Sequence, residues 1–324
     1  MTATTKTANF WRTALGASLL TIGAAACGGG SDNLPPPPPP PPPPAATVDA
    51  APPETTTVTP APEETAPPPK PPAPPVTLLP GAPSPNPPAP LPVVKITAPT
   101  HNQVIAVDKA ADFGVKLDVK NWPTAVASTH VHLILDNKPY KAIYETKTPS
   151  KLSELAGGEP LAEGLHVLVA FASRANHESV KTREAMAITT FWIGKKGGAA
   201  ADPTKKPMFI YSRPKGNYSG DRGNHVLVDF QLANVTLGEG KNHVKFTVLS
   251  GPGVEKDLSA TVTKFGTPLY LDNLQNGSYT IKGELLDRSG KVIEGPWNST
   301  TRTFNIDHDV PTDLGPPAPA TPAQ

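Results

Sequence analysis

From residue 93 onward the chain alternates apolar and polar positions with period two. Phe113, Val115, Leu117 and Val119 interleave with Lys116, Asp118 and Lys120, which gives a strand one buried and one wet face. Val131, Leu133 and Leu135 repeat the alternation, and Asp136, Asn137, Lys138 and Pro139 then supply a turn. Leu161 to Ala172 reads as a turn at Glu163 and Gly164 feeding a strand, and Ala185 to Ile193 reads as the strand that closes the unit. No window carries a helical period, so the expected fold class is all-β.

The pattern then occurs a second time. Val93 to Pro99 corresponds to Met208 to Pro214, the strand around Val115 to the one around Val228, and THVHLIL at 129–135 to NHVKFTV at 242–248. LAEGLHVLVAFA at 161–172 matches LQNGSYTIKGEL at 274–285, and ITTFWI at 188–193 matches TTRTFNI at 300–306. Setting Gly164 against Gly277 superposes His166 on Tyr279, Leu168 on Ile281 and Ala172 on Leu285. Two tandem β-sandwich domains are expected, at 93–194 and 207–306, joined by a linker at 195–206 with the sequence KKGGAAADPTKK. Even strand spacing and about 100 residues per copy fit an immunoglobulin or fibronectin III type sandwich. The GxH and GxY elements resemble the tyrosine-corner position of such domains, which implies an inward-packed ring bonding backbone with its polar end.

What precedes residue 93 cannot form a core. A basic start with Lys6 and Arg12 leads into a mostly apolar stretch, TALGASLLTIGAAAC, at 13–27. This is the order of a secretory signal peptide, expected over 1–26 and too short to span a bilayer as a helix. Cys27 is the single cysteine and follows three alanines, a placement that resembles the lipobox of bacterial lipoproteins. The family prefers Leu where this chain has Ala24. The resemblance implies acylation of Cys27 and attachment to a membrane, and Gly28 in the second mature position implies the outer membrane or cell surface. Ordinary cleavage nearby would leave Cys27 an incidental thiol. Residues 27–92 are Gly, Pro, Ala and Thr-rich, with ten consecutive prolines at 35–44 among 44 in the chain. They are expected to form a disordered stalk, partly polyproline II at about 3.1 Å per residue, with a reach on the order of 100 Å. A disordered tail is expected over 307–324.

Charge narrows the partners. The net charge is +1, with 11 basic and 10 acidic residues in 93–194 and 11 and 9 in 207–306, so neither copy has the basic field of a nucleic-acid binder. A lone cysteine also leaves each domain to stand on its apolar core without an internal disulfide. No HExxH, GxSxG, phosphate-binding glycine loop or EF-hand loop occurs. The expectation is therefore a non-enzymatic surface protein with no cofactor and no catalytic residue, presenting its two domains for adhesion, envelope organisation or binding of an unknown protein or polysaccharide partner.

One constellation could carry chemistry. His130 and His132 sit one residue apart in a strand, on the same face and about 7 Å apart, with His166 on the expected neighbouring strand and His177 in the turn after it. Such histidines could share Zn²⁺ or Cu²⁺ with nitrogens at about 2 Å from the ion, and an envelope metal-binding protein is the alternative function. Against this, Val131 and Leu133 claim the core, which puts His130 and His132 on the solvent face, while the repeat register puts His166 on a core-facing position. The second copy has His243, Lys245, Tyr279 and Gly290 at the equivalent positions. The run HVHLILDNKP, then GLHVLVAF, SRANHES and AITTFWI, resembles a recurrent Ig-like domain of exported bacterial proteins. That resemblance covers 129–193, implies fold and compartment, and transfers no activity.

Overall fold

The computed structural model describes residues 72–198 and 202–312, all within one compact unit. The expected signal peptide, Cys27, most of the stalk and the last twelve residues lie outside the described residues. The strands are β1 (Thr77–Pro80), β2 (Val93–Ala98), β3 (Gln103–Ile105), β4 (Gly114–Lys120), β5 (His130–Leu135), β6 (Lys141–Ile143), β7 (Ser150–Lys151), β8 (Gly164–Ser173) and β9 (Met186–Ile193). They continue as β10 (Met208–Arg213), β11 (Gly216–Ser219), β12 (His225–Ala233), β13 (His243–Ser250), β14 (Ser259–Val262), β15 (Leu269–Asp272), β16 (Gly277–Leu286) and β17 (Ser299–Asp307). Among the described residues helix is confined to single turns such as Val107–Ala110 and Leu152–Leu155.

The two copies are Ig-like sandwiches with the same wiring. One sheet of the first runs β3-β9-β8-β5-β6 and its equivalent in the second runs β11-β17-β16-β13-β14. In both, the short outer strand pairs parallel with the last strand of the copy while the rest is antiparallel. The opposing sheets are β2-β4-β7 and β10-β12-β15-β1. Inward positions fill two separate cores, one around Val131, Leu133, Leu168 and Phe191, the other around Phe209, Phe246, Ile281 and Phe304.

The corner positions match in chemistry as well as register. Tyr279 donates its hydroxyl to the Gln275 carbonyl at 3.0 Å and accepts from the Gln275 N–H at 2.8 Å, and the His166 Nε2 bonds the Ala162 carbonyl at 2.9 Å. Each ring thus ties down the backbone four residues upstream. Tyr279 is fully buried, so Tyr279→Phe is expected to lower stability by about 1–2 kcal/mol in urea unfolding by stranding those backbone groups.

Three expectations need correction. The stalk does not run to residue 92: β1 adds an antiparallel strand to β15 of the second sandwich. The chain then crosses to the first, where Glu178 accepts the N–H of Ser84 at 3.0 Å and Asn121 donates to the Leu91 carbonyl at 3.0 Å. Proline composition hid an edge strand that proline tolerates and that covers the open edge of β15. Nor does order end at Ile306, because β17 reaches Asp307, His308 Nε2 bonds the Leu274 carbonyl at 2.8 Å and the Asp221 N–H donates to Thr312 Oγ1 at 3.1 Å.

The third correction matters most for function. The copies are not two bodies on a tether. A third apolar cluster lies between them, made of Ile134, Tyr140, Val167, Val169 and Phe171 from the first sandwich and Met208, Ile210 and Trp297 from the second. Polar bonds ring it: Asn137 donates to Thr300 at 2.8 Å, Gln231 to the Val180 carbonyl at 2.7 Å, and Lys181 to Asp229 at 2.7 Å.

Candidate metal centre at the seam

All six residues of β5 are buried. Val131, Leu133 and Leu135 face the core of the first sandwich, as alternation requires, but the opposite face of His130, His132 and Ile134 meets the second sandwich rather than water. His130 and His132 are 0% exposed, which overturns their expected place on a solvent face. His177 reaches the same point from the turn after β8. Its backbone is left-handed at φ 66°, a conformation uncommon outside Gly, Asn, Asp and His. The His177 N–H bonds the Arg174 carbonyl at 2.9 Å and the Arg174 N–H bonds the Glu178 carbonyl at 2.9 Å, which holds that turn.

Three ring nitrogens converge. His130 Nε2 lies 3.0 Å from His132 Nε2 and 2.9 Å from His177 Nδ1, and His132 Nε2 lies 3.3 Å from His177 Nδ1. Tetrahedral coordination with bonds of 2.0–2.1 Å puts neighbouring ligand atoms about 3.3–3.4 Å apart, so the triangle needs only slight expansion to hold an ion. The outer nitrogens are anchored: His130 Nδ1 donates to the Ser128 carbonyl at 2.8 Å, and His132 Nδ1 meets Ser212 Oγ of β10 at 3.2 Å. Outer hydrogen bonds of this kind fix ring orientation in metal sites.

The surroundings keep the rings neutral. Burial is the main cause in each case, lowering His130, lowering His132 well below its ordinary value and lowering His177 to about 2. The positive charge of Arg213 acts in the same direction on all three. Neutral rings offer the lone pairs a metal requires. They also set the three nitrogens of the triangle in conflict with one another. Since a carbonyl can only accept, His130 carries its proton on Nδ1 and presents a bare Nε2. Bonding both partners to that nitrogen requires protons on His132 Nε2 and His177 Nδ1, which then face each other. Any other arrangement of neutral rings leaves two lone pairs in contact. One central cation satisfies all three nitrogens at once.

His166 is not part of the centre. Both its nitrogens are engaged, Nδ1 with Asp136 at 2.6 Å and Nε2 with Ala162. Burial works to lower its pKa, but the bond and charge of Asp136 and the Ala162 carbonyl outweigh this and raise it. The second copy builds no equivalent site, and its His243 bonds the Lys241 carbonyl. Four residues at the centre escaped the sequence reading. Tyr140 stacks on His132 at 3.5 Å between ring centres, its hydroxyl accepts from Arg213 Nε at 2.9 Å, Lys215 lies 4.2 Å from the same ring, and Ser212 anchors His132. Tyr140 and Lys215 also line a surface cleft of about 460 Å³ that the three histidines do not reach.

No known family profile matches the sequence, and no curated protein matches it. Among solved structures, the fibronectin(III)-like modules of Clostridium thermocellum CbhA are similar at 14% identity, covering 66% of this chain and 94% of that one, with a TM-score of 0.23. The two tandem V-type regions of VCBP3, a v-region-containing chitin binding protein, are 9% identical over 67% of this chain and 99% of that one, also at 0.23. The D00-D0 domain of Intimin is 13% identical over 66% and 97%, at 0.20. With TM-scores this low, the two-sandwich assignment rests on the strand pairings themselves.

Proposed function

We propose that this chain is an exported, non-enzymatic protein that holds a transition-metal cation, zinc or copper, between two Ig-like sandwiches. The frustrated triangle of neutral nitrogens carries the reading, because its 2.9–3.3 Å edges and anchored outer nitrogens are what an ion of this class needs. Acylated Cys27 ties the protein to the outer membrane or cell surface, and the proline-rich segment after it holds the sandwiches clear of the lipid for a protein or polysaccharide partner. The lipobox-like sequence and the run of ten prolines support this part. Among the described residues no helix is long and apolar enough to cross a membrane.

The experiment is metal content together with thermal unfolding of the mature protein. An ion at a hundredfold excess over its Kd should add roughly 2.7 kcal/mol of stability, which for a unit above 200 residues raises Tm by about 5–10 °C. His132→Gln should abolish the rise, and His166→Gln should leave it intact. A protein that binds neither zinc nor either oxidation state of copper, with Tm unmoved, would sink the reading.

A further inference from the structure

The charges around the triad set which ion it takes. Three neutral imidazoles bring no negative charge. The buried carboxylates at the seam are committed elsewhere, Asp229 to Lys181 and Ser179 and Glu178 to Ser84. The charged groups that do reach the centre are cations from the second sandwich, Arg213 and Lys215 beside Tyr140 and Arg222 acting on His177. Arg213 bonds the Tyr140 hydroxyl at 2.9 Å and Lys215 sits 4.2 Å from the Tyr140 ring, while that ring lies flat on His132 at 3.5 Å. Among the described residues no carboxylate pairs with the Lys215 ammonium. Aromatic rings wall the rest: Phe171 is edge-on to His132 at 5.3 Å and Tyr144 is 4.8 Å from His130.

We propose that this seam selects monovalent copper, Cu(I), over Zn²⁺ and Cu²⁺, and that Arg213 and Lys215 are the selecting residues. The proposal rests on the triad being a metal site. Imidazole suits zinc and copper alike, sulfur being the ligand type that favours Cu(I), so at this nitrogen triad the selection has to come from charge. Repulsion from a fixed cation grows in proportion to the ion's charge, and the desolvation cost of burial grows with its square. Both terms favour the ion with one charge. Copper enters already reduced, so no electron transfer is required of the protein.

The test is competition against chromophoric chelators, using the mature protein with Cu(I) under anaerobic ascorbate, and with Zn²⁺ and Cu²⁺ in ascorbate-free buffer. Cu(I) is expected to bind at least about a hundredfold more tightly than Zn²⁺, and more tightly than Cu²⁺, the ion that leads the divalent series. Neutralising one cation should tighten Zn²⁺ roughly tenfold or more. Because the repulsion is linear in ion charge, a variant that tightens Cu(I) by some factor should tighten Zn²⁺ by about the square of it. Lys215→Gln, at a half-buried position, and Arg213→Gln test this, and the wild-type ratio stands without either variant. Zn²⁺ or Cu²⁺ binding as tightly as Cu(I), or equal factors for both ions in the variants, overturns the proposal while leaving the metal site standing. Absence of binding by every ion would instead remove the site itself.

Discussion

Acidifying the metal-free protein from pH 7.5 to about 5 is expected to cost it about 2 kcal/mol through His177 alone. Burial and the neighbouring charges, Arg213 foremost, depress this histidine from 6.5 to about 2 in the folded state. The unfolded chain therefore takes up a proton below pH 6.5 that the folded chain refuses. The contribution is complete above pH 6.5 and is lost as pH falls through the window between the two values. His130 and His132 shift in the same direction and add to the loss. His166 opposes it: with its folded pKa raised, its contribution is complete below the unfolded value and disappears as pH rises through the folded one. Urea midpoints at the two pH values check the expectation. His177→Asn isolates the effect, since Asn accepts the left-handed backbone at that position. A variant whose stability falls as steeply with acid as that of the wild type would show that His177 is not held neutral.

The sandwiches were legible because most strands alternate, and one core-facing stripe per strand is all that a sandwich needs from local sequence. The seam was less legible, although it left a trace. In β5 the face opposite Val131 and Leu133 carries Ile134, and in β8 the face opposite Leu168 and Ala170 carries Val167, Val169 and Phe171. Strands apolar on both faces are buried on both, and that signal applied to β5 would have moved His130 and His132 out of the solvent. The partners of the triad had no such trace. His132 meets Ser212 80 positions away and Tyr140 meets Arg213 73 positions away, and no periodicity reports on contacts at that separation. His177 joined the cluster through one left-handed turn, and His166 was drawn off by Asp136, a residue read only as part of a turn. The strand Thr77–Pro80 was lost to its own composition, since four residues among prolines show no alternation to detect.

Removing Asp229 should have the largest effect of any substitution at the seam. On β12, Val228 and Phe230 point into the core of the second sandwich, which turns Asp229 and Gln231 toward the first. The Asp229 carboxylate is 1% exposed, accepts the Ser179 hydroxyl at 2.6 Å and pairs with Lys181 at 2.7 Å. Lys181 is itself only 17% exposed, so the pair is screened little by water. Deleting one member of such a pair leaves the other charge buried without compensation, which costs about 3–5 kcal/mol. Asp229→Ala is therefore expected to lower Tm by about 10 °C. The pair is less valuable than that number implies, because much of the loss is the stranded lysine. The double variant Asp229→Leu with Lys181→Met removes both charges and keeps apolar volume against Phe230 and Phe265, which Lys181 already overlies at 5.5 Å. It should regain most of the lost stability, giving a large coupling energy in a double-mutant cycle. If Asp229→Ala costs less than about 1 kcal/mol, or if the two sandwiches melt in separate transitions with the wild-type pair intact, the seam does not weld them into one unit.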